Sequence, residues 1–276
     1  IIKLLDNRVK LIPILDSQRR LVEIITTDNF PLPEESPVYV RSRAPVRISF
    51  SGGGSDLTYY FSEYEGAVIN TTISIYSHAT LRKLKDSKII IYSHDIGKRL
   101  EFDDIEILKK NILGPFKLIL AIIHLVNPNY GFELTIASDF IMGSGLGGSA
   151  VASAAVLGCF NELRHDKWDA HELAEMAFQA ERFKLKIDGG WQDQYATVFG
   201  GFNFIEFRHH QNLVHPLRIK QDILNELEES LLLCDTNIIH DSGEIHKHQK
   251  IQFRNEEIKK AVHENVELTY QMRDHL

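Results

Sequence analysis

Residues 143–151, Gly143-Ser144-Gly145-Leu146-Gly147-Gly148-Ser149-Ala150-Val151, form a glycine-dense stretch that opens directly into an Ala/Val-rich run of helical length ending near Leu163. Just upstream, Phe132-Glu133-Leu134-Thr135-Ile136-Ala137-Ser138 alternates apolar and mostly polar residues like a half-buried strand, so the glycines join a strand to a helix. Glycine reaches backbone conformations closed to other residues, and the first turn of a helix leaves N–H groups without intrahelical partners. Anions settle there, and the stretch is expected to cradle phosphate. A Walker A loop requires Lys after its last glycine, whereas Gly148 is followed by Ser149. A dinucleotide fold fits poorly too, because no acidic residue closes a second strand at the required distance. On the loop alone, a glycine turn that merely packs a helix closely on a sheet stays open as the alternative.

The ligand is expected to be a small molecule. The formal net charge of -7 argues against a nucleic-acid surface, while leaving room for a local basic pocket. With 43% hydrophobic residues, a chain of 276 residues has material for one large or two modest domains. Cys159 and Cys234, the only cysteines, are too few for a disulfide framework and lack metal-ligand spacing; their apolar neighbours suggest that both lie in a core. No apolar run approaches the roughly 20 residues that cross a bilayer, no basic-then-apolar signal opens the chain, and the expected location is the cytoplasm without a membrane partner. The oligomeric state is not legible.

A strand-like pattern begins at Ile1, so the chain reads as a piece of a longer polypeptide. Leu11 to Asp16 and Leu21 to Thr26, separated by a polar turn, read as a β-hairpin. Their order resembles the closing strands of a CBS module over residues 1–30, although Glu23 stands where such a module usually has Gly. Pro31, Pro33 and Pro37 then make 31–37 an extended linker. Beyond it, extended segments are expected at 38–51 and 67–82, a hairpin at 88–102, a helix near 104–126 and the strand at 132–138. A helix from Asp169 that ends at Glu181 places Leu173, Met176, Ala177 and Ala180 on one stripe. Strands at Phe202–Phe207 and Leu231–Cys234 and a helix from Glu256 to Met272 complete the pattern.

Two further constellations accompany the glycine loop. In Arg43-Ala44-Pro45-Val46-Arg47-Ile48-Ser49-Phe50-Ser51-Gly52-Gly53-Gly54-Ser55-Asp56, a strand carries Arg47 into a bare turn and an acid. Such a turn suits a polyhydroxylated ligand whose hydroxyls donate to Asp56; equally, Asp56 could cap a helix. In Asp188-Gly189-Gly190-Trp191-Gln192-Asp193-Gln194-Tyr195, Asp193 sits between two glutamines beside a glycine pair, and read alone it could be a structural acid at a helix start.

Together the three motifs resemble the GHMP kinase superfamily over about residues 38–276, and within it the bacterial D-glycero-D-manno-heptose 7-phosphate kinases, with L-fucose kinases as nearest competitors. The resemblance implies an α+β, two-domain fold: a ribosomal-S5-like N-terminal domain over 38–200 and an incomplete C-terminal domain over 201–276. It implies ATP and Mg²⁺ as cofactors. Gly143, Ser144, Gly145, Leu146, Gly147, Gly148, Ser149 and Ala150 would hold ATP, and Ser149 and Glu181 would hold the metal. Asp193 would be the general base, with Arg47 offsetting negative charge on Asp193 and on the transferred phosphoryl group. Gly53, Gly54, Ser55, Asp56 and Gln192 would contact the sugar. The implied reaction is phosphorylation of the anomeric C1 hydroxyl of a heptose 7-phosphate to the 1,7-bisphosphate, for nucleotide-activated heptose synthesis. A fused upstream CBS or nucleotidyltransferase domain would suit that pathway.

The sequence departs from the family pattern in three places. Phe140-Ile141-Met142 stands where prolines are common, Gly148 stands where a serine is frequent, and no third glycine-rich motif precedes Leu276, which reads as truncation. A non-catalytic sugar-sensing module is the competing class; the joint presence of Arg47, Ser149, Glu181 and Asp193 speaks against it, and the missing motif speaks for it. His240, His246 and His248 are too few for a zinc site. His94 reads as a hairpin-edge residue. Lys184 and Lys186 could reach a substrate phosphate or form a solvated basic face.

Overall fold

The computed structural model describes residues 11–26, 38–141, 144–187, 189–232, 234 and 249–276, in two units that part between Val38 and Tyr39. In the first unit, β1 (Leu11–Leu15) and β2 (Leu21–Thr26) form the expected antiparallel hairpin, with Ile14 opposite Glu23. The Asp16 carboxylate closes the turn by accepting the Gln18 and Arg20 N–H groups at 2.8 and 2.9 Å. The linker at 31–37 and the histidines at 240, 246 and 248 lie outside the described residues.

The second unit begins with β3 (Tyr39–Ser51), a short helix α1 (Thr58–Phe61) and β4 (Gly66–Lys83). The expected hairpin follows as β5 (Ile89–Ser93) and β6 (Lys98–Phe102), then α2 (Ile105–Lys109), α3 (Lys117–Val126) and β7 (Phe132–Ser138). After these come α4 (Gly148–Glu162), α5 (Ala170–Gln179), α6 (Gln192–Phe199), β8 (Phe202–Phe207), β9 (Asn212–Pro216), α7 (Gln221–Ser230) and α8 (Glu256–His275).

Strand β4 organises the sheet because it is long enough for three partners. β3 runs antiparallel to it from Tyr39 opposite Arg82 to Ser51 opposite Ile69. β7 pairs with Ser77–Lys83 and β8 with Gly66–Thr71. β5 lies parallel to β7 with β6 outside it, and β9 lies outside β8. The expected division at 200/201 is therefore not a sheet boundary: β8 is bonded to β4, and residues 39–276 form one unit.

Helices α3 and α4 cover the sheet. In α3, Ile119 to Ile123 are all buried, and complete burial of one such aliphatic side chain contributes about 1.5–3 kcal/mol. α4 lies close against β3 because Gly158 has no side chain; a Cβ there would stand 2.4 Å from Ser42 Oγ. Among the described residues no helix is long and apolar enough to cross a membrane.

Several expectations are corrected. The helix at 104–126 is split: Asp104 caps α2 by accepting the Ile107 N–H, and a single 3₁₀ turn, Gly114–Phe116, intervenes before α3. Gly114 adopts φ +76°, and Pro115 disfavours helical geometry in the residue before it. The helix after Asp169 does not end at Glu181, which lies in a π-turn, Ala180–Lys184. No strand is present at Leu231–Leu232, whose side chains are exposed with no strand among the described residues beside them, and Leu233 is not described. Cys159 is buried, which pushes its thiol up to about 12, but Cys234 is exposed and not a core residue.

Candidate active site

Backbone geometry at the end of β3 fixes the first wall of the site. Gly52 takes φ +83°, and a Cβ there would lie 1.8 Å from the Ala67 carbonyl oxygen, so only glycine fits. Gly53 and Gly54 face open space, where an added Cβ would meet nothing within 4 Å. Ser55, expected to touch a sugar, is instead fully buried: its hydroxyl lies 2.8 Å from the Gly52 carbonyl and accepts the Ala67 N–H at 3.1 Å, which spends it on holding the turn. Asp56 does not cap α1, whose N-cap is Leu57 with no side-chain bond. Its carboxylate accepts the Gln192 N–H at 3.0 Å and the Gly54 N–H at 3.2 Å, and Gly190 must lack a side chain because a Cβ would stand 1.8 Å from Asp56 Oδ2.

The second wall is the glycine loop. Gly143 lies outside the described residues; Ser144 and Gly145 are exposed, Leu146, Gly147, Gly148 and Ser149 are half-buried, and Ala150 is buried. Gly145 and Gly147 take φ +77° and +75°, and Gly147 is the N-cap of α4 without a side-chain bond to that helix. The amides of the first turn are therefore not claimed by a side-chain cap, and the dipole of a 15-residue helix adds to their attraction for anions. Ser149 Oγ donates a hydrogen bond to Glu181 Oε1. The π-turn inserts one residue into the helical ladder and re-aims the chain beyond it, here carrying Glu181 under the loop.

The tripeptide at the start of α6 ties the walls together. Successive helical residues diverge by about 100°, and each of the three side chains meets a different partner. Gln192 Nε2 donates to Ser49 Oγ at 2.8 Å, while its N–H meets Asp56. Asp193 Oδ1 accepts from Arg47 Nε at 2.8 Å and stands 2.6 Å from Arg47 Nη2, whereas Oδ2 faces Gly147, where a Cβ would come within 2.9 Å. Arg47 Nη1 also donates to the Gly145 carbonyl at 3.3 Å. Gln194 Nε2 donates to Glu181 Oε2 at 2.9 Å. The reading of Asp193 as an acid at a helix start describes its position, but its carboxylate is turned to Arg47 and the glycine loop.

Residue patterning gives no sign of two supports. Gln194 stands in the third motif beside Asp193 without a role of its own in the sequence, yet it holds the buried Glu181. Arg182 donates to the carbonyls of Ile187 and Gly190 at 3.2 Å each, and thereby shapes the loop before α6. Only the chain fold, which brings 182 back against 187–190, makes that contact visible.

The arrangement offers backbone donors for polyphosphate, a hydroxyl–carboxylate oxygen pair, and a carboxylate with an arginine beside it. The family model for the GHMP kinase N-terminal domain matches residues 116–201, the segment that carries this loop, Glu181 and Asp193. The chain is 38% identical over 230 residues to D-glycero-alpha-D-manno-heptose 7-phosphate kinase of Campylobacter jejuni, covering 81% of this chain and 67% of that protein. It is 30% identical over 193 residues to the L-fucokinase/L-fucose-1-P guanylyltransferase of Bacteroides fragilis, covering 60% of this chain and 20% of that one. A crystal structure of a D-glycero-D-manno-heptose 1-phosphate kinase from Bacteroides thetaiotaomicron superposes with a TM-score of 0.61 at 28% identity, over 79% of this chain and 72% of the other. On loop, fold and relatives alike, the chain belongs to the GHMP kinases, phosphotransferases that use ATP.

Proposed function

We propose that the protein transfers the γ-phosphoryl group of ATP to the anomeric C1 hydroxyl of D-glycero-D-manno-heptose 7-phosphate, giving the 1,7-bisphosphate. The observation that carries this reading is Asp193, clasped by Arg47 and set against Gly147 of the phosphate loop. In the transfer the C1 oxygen forms a bond to the γ-phosphorus as the bond to the ADP oxygen breaks, and the hydroxyl proton passes to Asp193. An anomeric hydroxyl is more acidic than an ordinary alcohol, so a carboxylate is base enough. Arg47 offsets charge on Asp193 and on the phosphoryl group, the kind of neutralisation on which phosphoryl transfer mostly depends.

Ser149 and Glu181 are the residues that would hold Mg²⁺. Both offer hard oxygen donors, and a cation that keeps waters and phosphate oxygens in its shell needs only one or two from protein; no larger ligand cluster exists among the described residues. Bound there, Mg²⁺ would neutralise phosphate charge. Asp56 and the open turn at Gly53–Gly54 would meet sugar hydroxyls. A reaction that consumes ATP suits the cytoplasm.

Heptose phosphates appear in the names of two relatives, and L-fucose in a third. ³¹P NMR of the protein with MgATP and, in separate tubes, heptose 7-phosphate, L-fucose and galactose tests the reading. A new anomeric phosphate with ADP in the heptose tube alone is the expected result; a product only with fucose would replace it by a fucose kinase, and nucleotide binding without transfer by a sensing module.

A further inference from the structure

A cavity of about 430 Å³ opens beside the turn that ends at Asp56, lined by Leu57, Thr58 and Tyr59, by Phe178 and Arg182, and by Lys186, Ile187, Gly189, Trp191 and Lys250. We infer that this cavity, with Lys186 and Lys250 as its anchors, binds the phosphate that the sugar substrate already carries at the end remote from the reacting hydroxyl; the inference rests on the kinase reading above.

Charge is the first argument. Acidic residues outnumber basic ones in the whole chain, 38 to 31, yet the described lining of the cavity has three cations and no carboxylate. The Lys186 and Lys250 ammonium groups have no ion-pair or hydrogen-bond partner among the described residues, so they are available to an incoming anion. Lys186 is held at φ +55°, a conformation rare for a residue with a Cβ. The neighbouring backbone keeps it there: the Ile187 N–H bonds to the Glu181 carbonyl at 3.1 Å, and Arg182 holds the carbonyls of Ile187 and Gly190.

Position is the second argument. Gly189 and Trp191 line the cavity, Gly190 abuts Asp56, and Asp193 reaches the phosphate loop, so one short segment spans both the cavity and the reacting centre. The Trp191 indole is fixed by stacking on Phe178 at 3.5 Å and by donating to Thr58 Oγ1 at 3.1 Å, giving a fixed apolar wall for sugar carbons. No residue of the ATP loop contributes to the lining, so this is a separate phosphate site. Of the two lysines suspected from sequence, only Lys186 faces it; Lys184 Nζ stands 3.4 Å from His124 Nε2 instead.

Calorimetric titration of the protein with D-glycero-D-manno-heptose 7-phosphate and with the same heptose lacking phosphate tests the inference. Charge-assisted contacts to a phosphate predict a preference of roughly tenfold or more for the phosphorylated sugar. The Lys186→Gln/Lys250→Gln double variant should lose that preference, the Lys186→Arg/Lys250→Arg variant should keep it, and Lys184→Gln, which removes a positive charge outside the cavity, should leave it intact. No preference in the unaltered protein, or an undiminished one in the Gln double variant, would overturn the inference. Failure of the kinase reading registers elsewhere, as the missing anomeric phosphate in the ³¹P spectrum, and leaves these binding ratios standing.

Discussion

Asp193 owes its setting to a residue 146 positions earlier and to a glycine whose missing side chain leaves it room. Asp193→Asn keeps the size of the group and loses the base, so kcat should fall by about two to four orders of magnitude, the usual contribution of a general base, while MgATP affinity stays. Steady-state kinetics beside a nucleotide titration checks this, and near-normal turnover would remove Asp193 from the mechanism. Glu181 makes a different prediction because its carboxylate accepts from Ser149 and Gln194 rather than from Arg47. Glu181→Gln should shift the Mg²⁺ titration of activity to higher metal concentration, and an unchanged titration would exclude it as a ligand. At this scale it is the family resemblance that singles out Asp193, Arg47, Ser149 and Glu181, and the fold pairs Asp193 with Arg47 and Ser149 with Glu181. The resemblance misjudges Ser55, because a serine beside glycines looks the same whether its hydroxyl faces a ligand or, as here, the Ala67 backbone.

Among the elements, α8 is fastened to the end of β3, the glycine turn after it and β8 by polar contacts. Ser51 and Thr269 hydroxyls lie 2.6 Å apart, Asn265 accepts the Gly52 N–H at 3.3 Å, and the Tyr270 hydroxyl donates to Glu206 of β8 at 3.0 Å. Burial pushes the Glu206 carboxyl up, but hydrogen bonds from Arg208, His215 and Tyr270 outweigh it and leave the group below its usual value of 4.5. A carboxyl depressed in the folded state stabilises above its unfolded pKa and loses that contribution as pH falls through the folded one. Glu206→Gln should therefore be less stable than the unaltered protein at pH 7, with the gap closing below about pH 4.5; thermal melts at pH 7, 4.5 and 3 measure it, and a gap independent of pH would dismiss the linkage. Strand β7 is legible because its period-two patterning records a half-buried face, whereas β5 reads Ile-Ile-Ile-Tyr-Ser without alternation and β8 is buried at all six positions. The α2/α3 break is obscured by apolar residues running through both helices, although Gly114-Pro115 marks it. The exposed Leu231–Leu232 shows the limit of such patterns, since an apolar run says nothing of whether a partner strand lies beside it.

In the whole molecule, both hydrophobic clusters are built within residues 39–276. One lies under α3, α4 and α5, and the other joins α1, α6, β8 and α8. The start of α6 lies beside the second cluster, and there the side chains of Gln192, Asp193 and Gln194 reach Ser49, Arg47 and Glu181 in turn. Among the described side chains, the hairpin of β1 and β2 contributes none to either cluster and exposes Leu15, Leu21, Val22 and Ile24. A pair of strands alone is marginal in water, and both described clusters are made of residues 39–276. Deleting residues 1–38 should consequently leave the thermal transition and the MgATP affinity of 39–276 unchanged. For a unit of this size about 1 kcal/mol corresponds to a shift of roughly 2–4 °C. A midpoint in scanning calorimetry lowered by more than that would mean that the first unit bears on the core after all, and an unaltered midpoint with weakened nucleotide binding would mean that it acts on the site without supporting the fold.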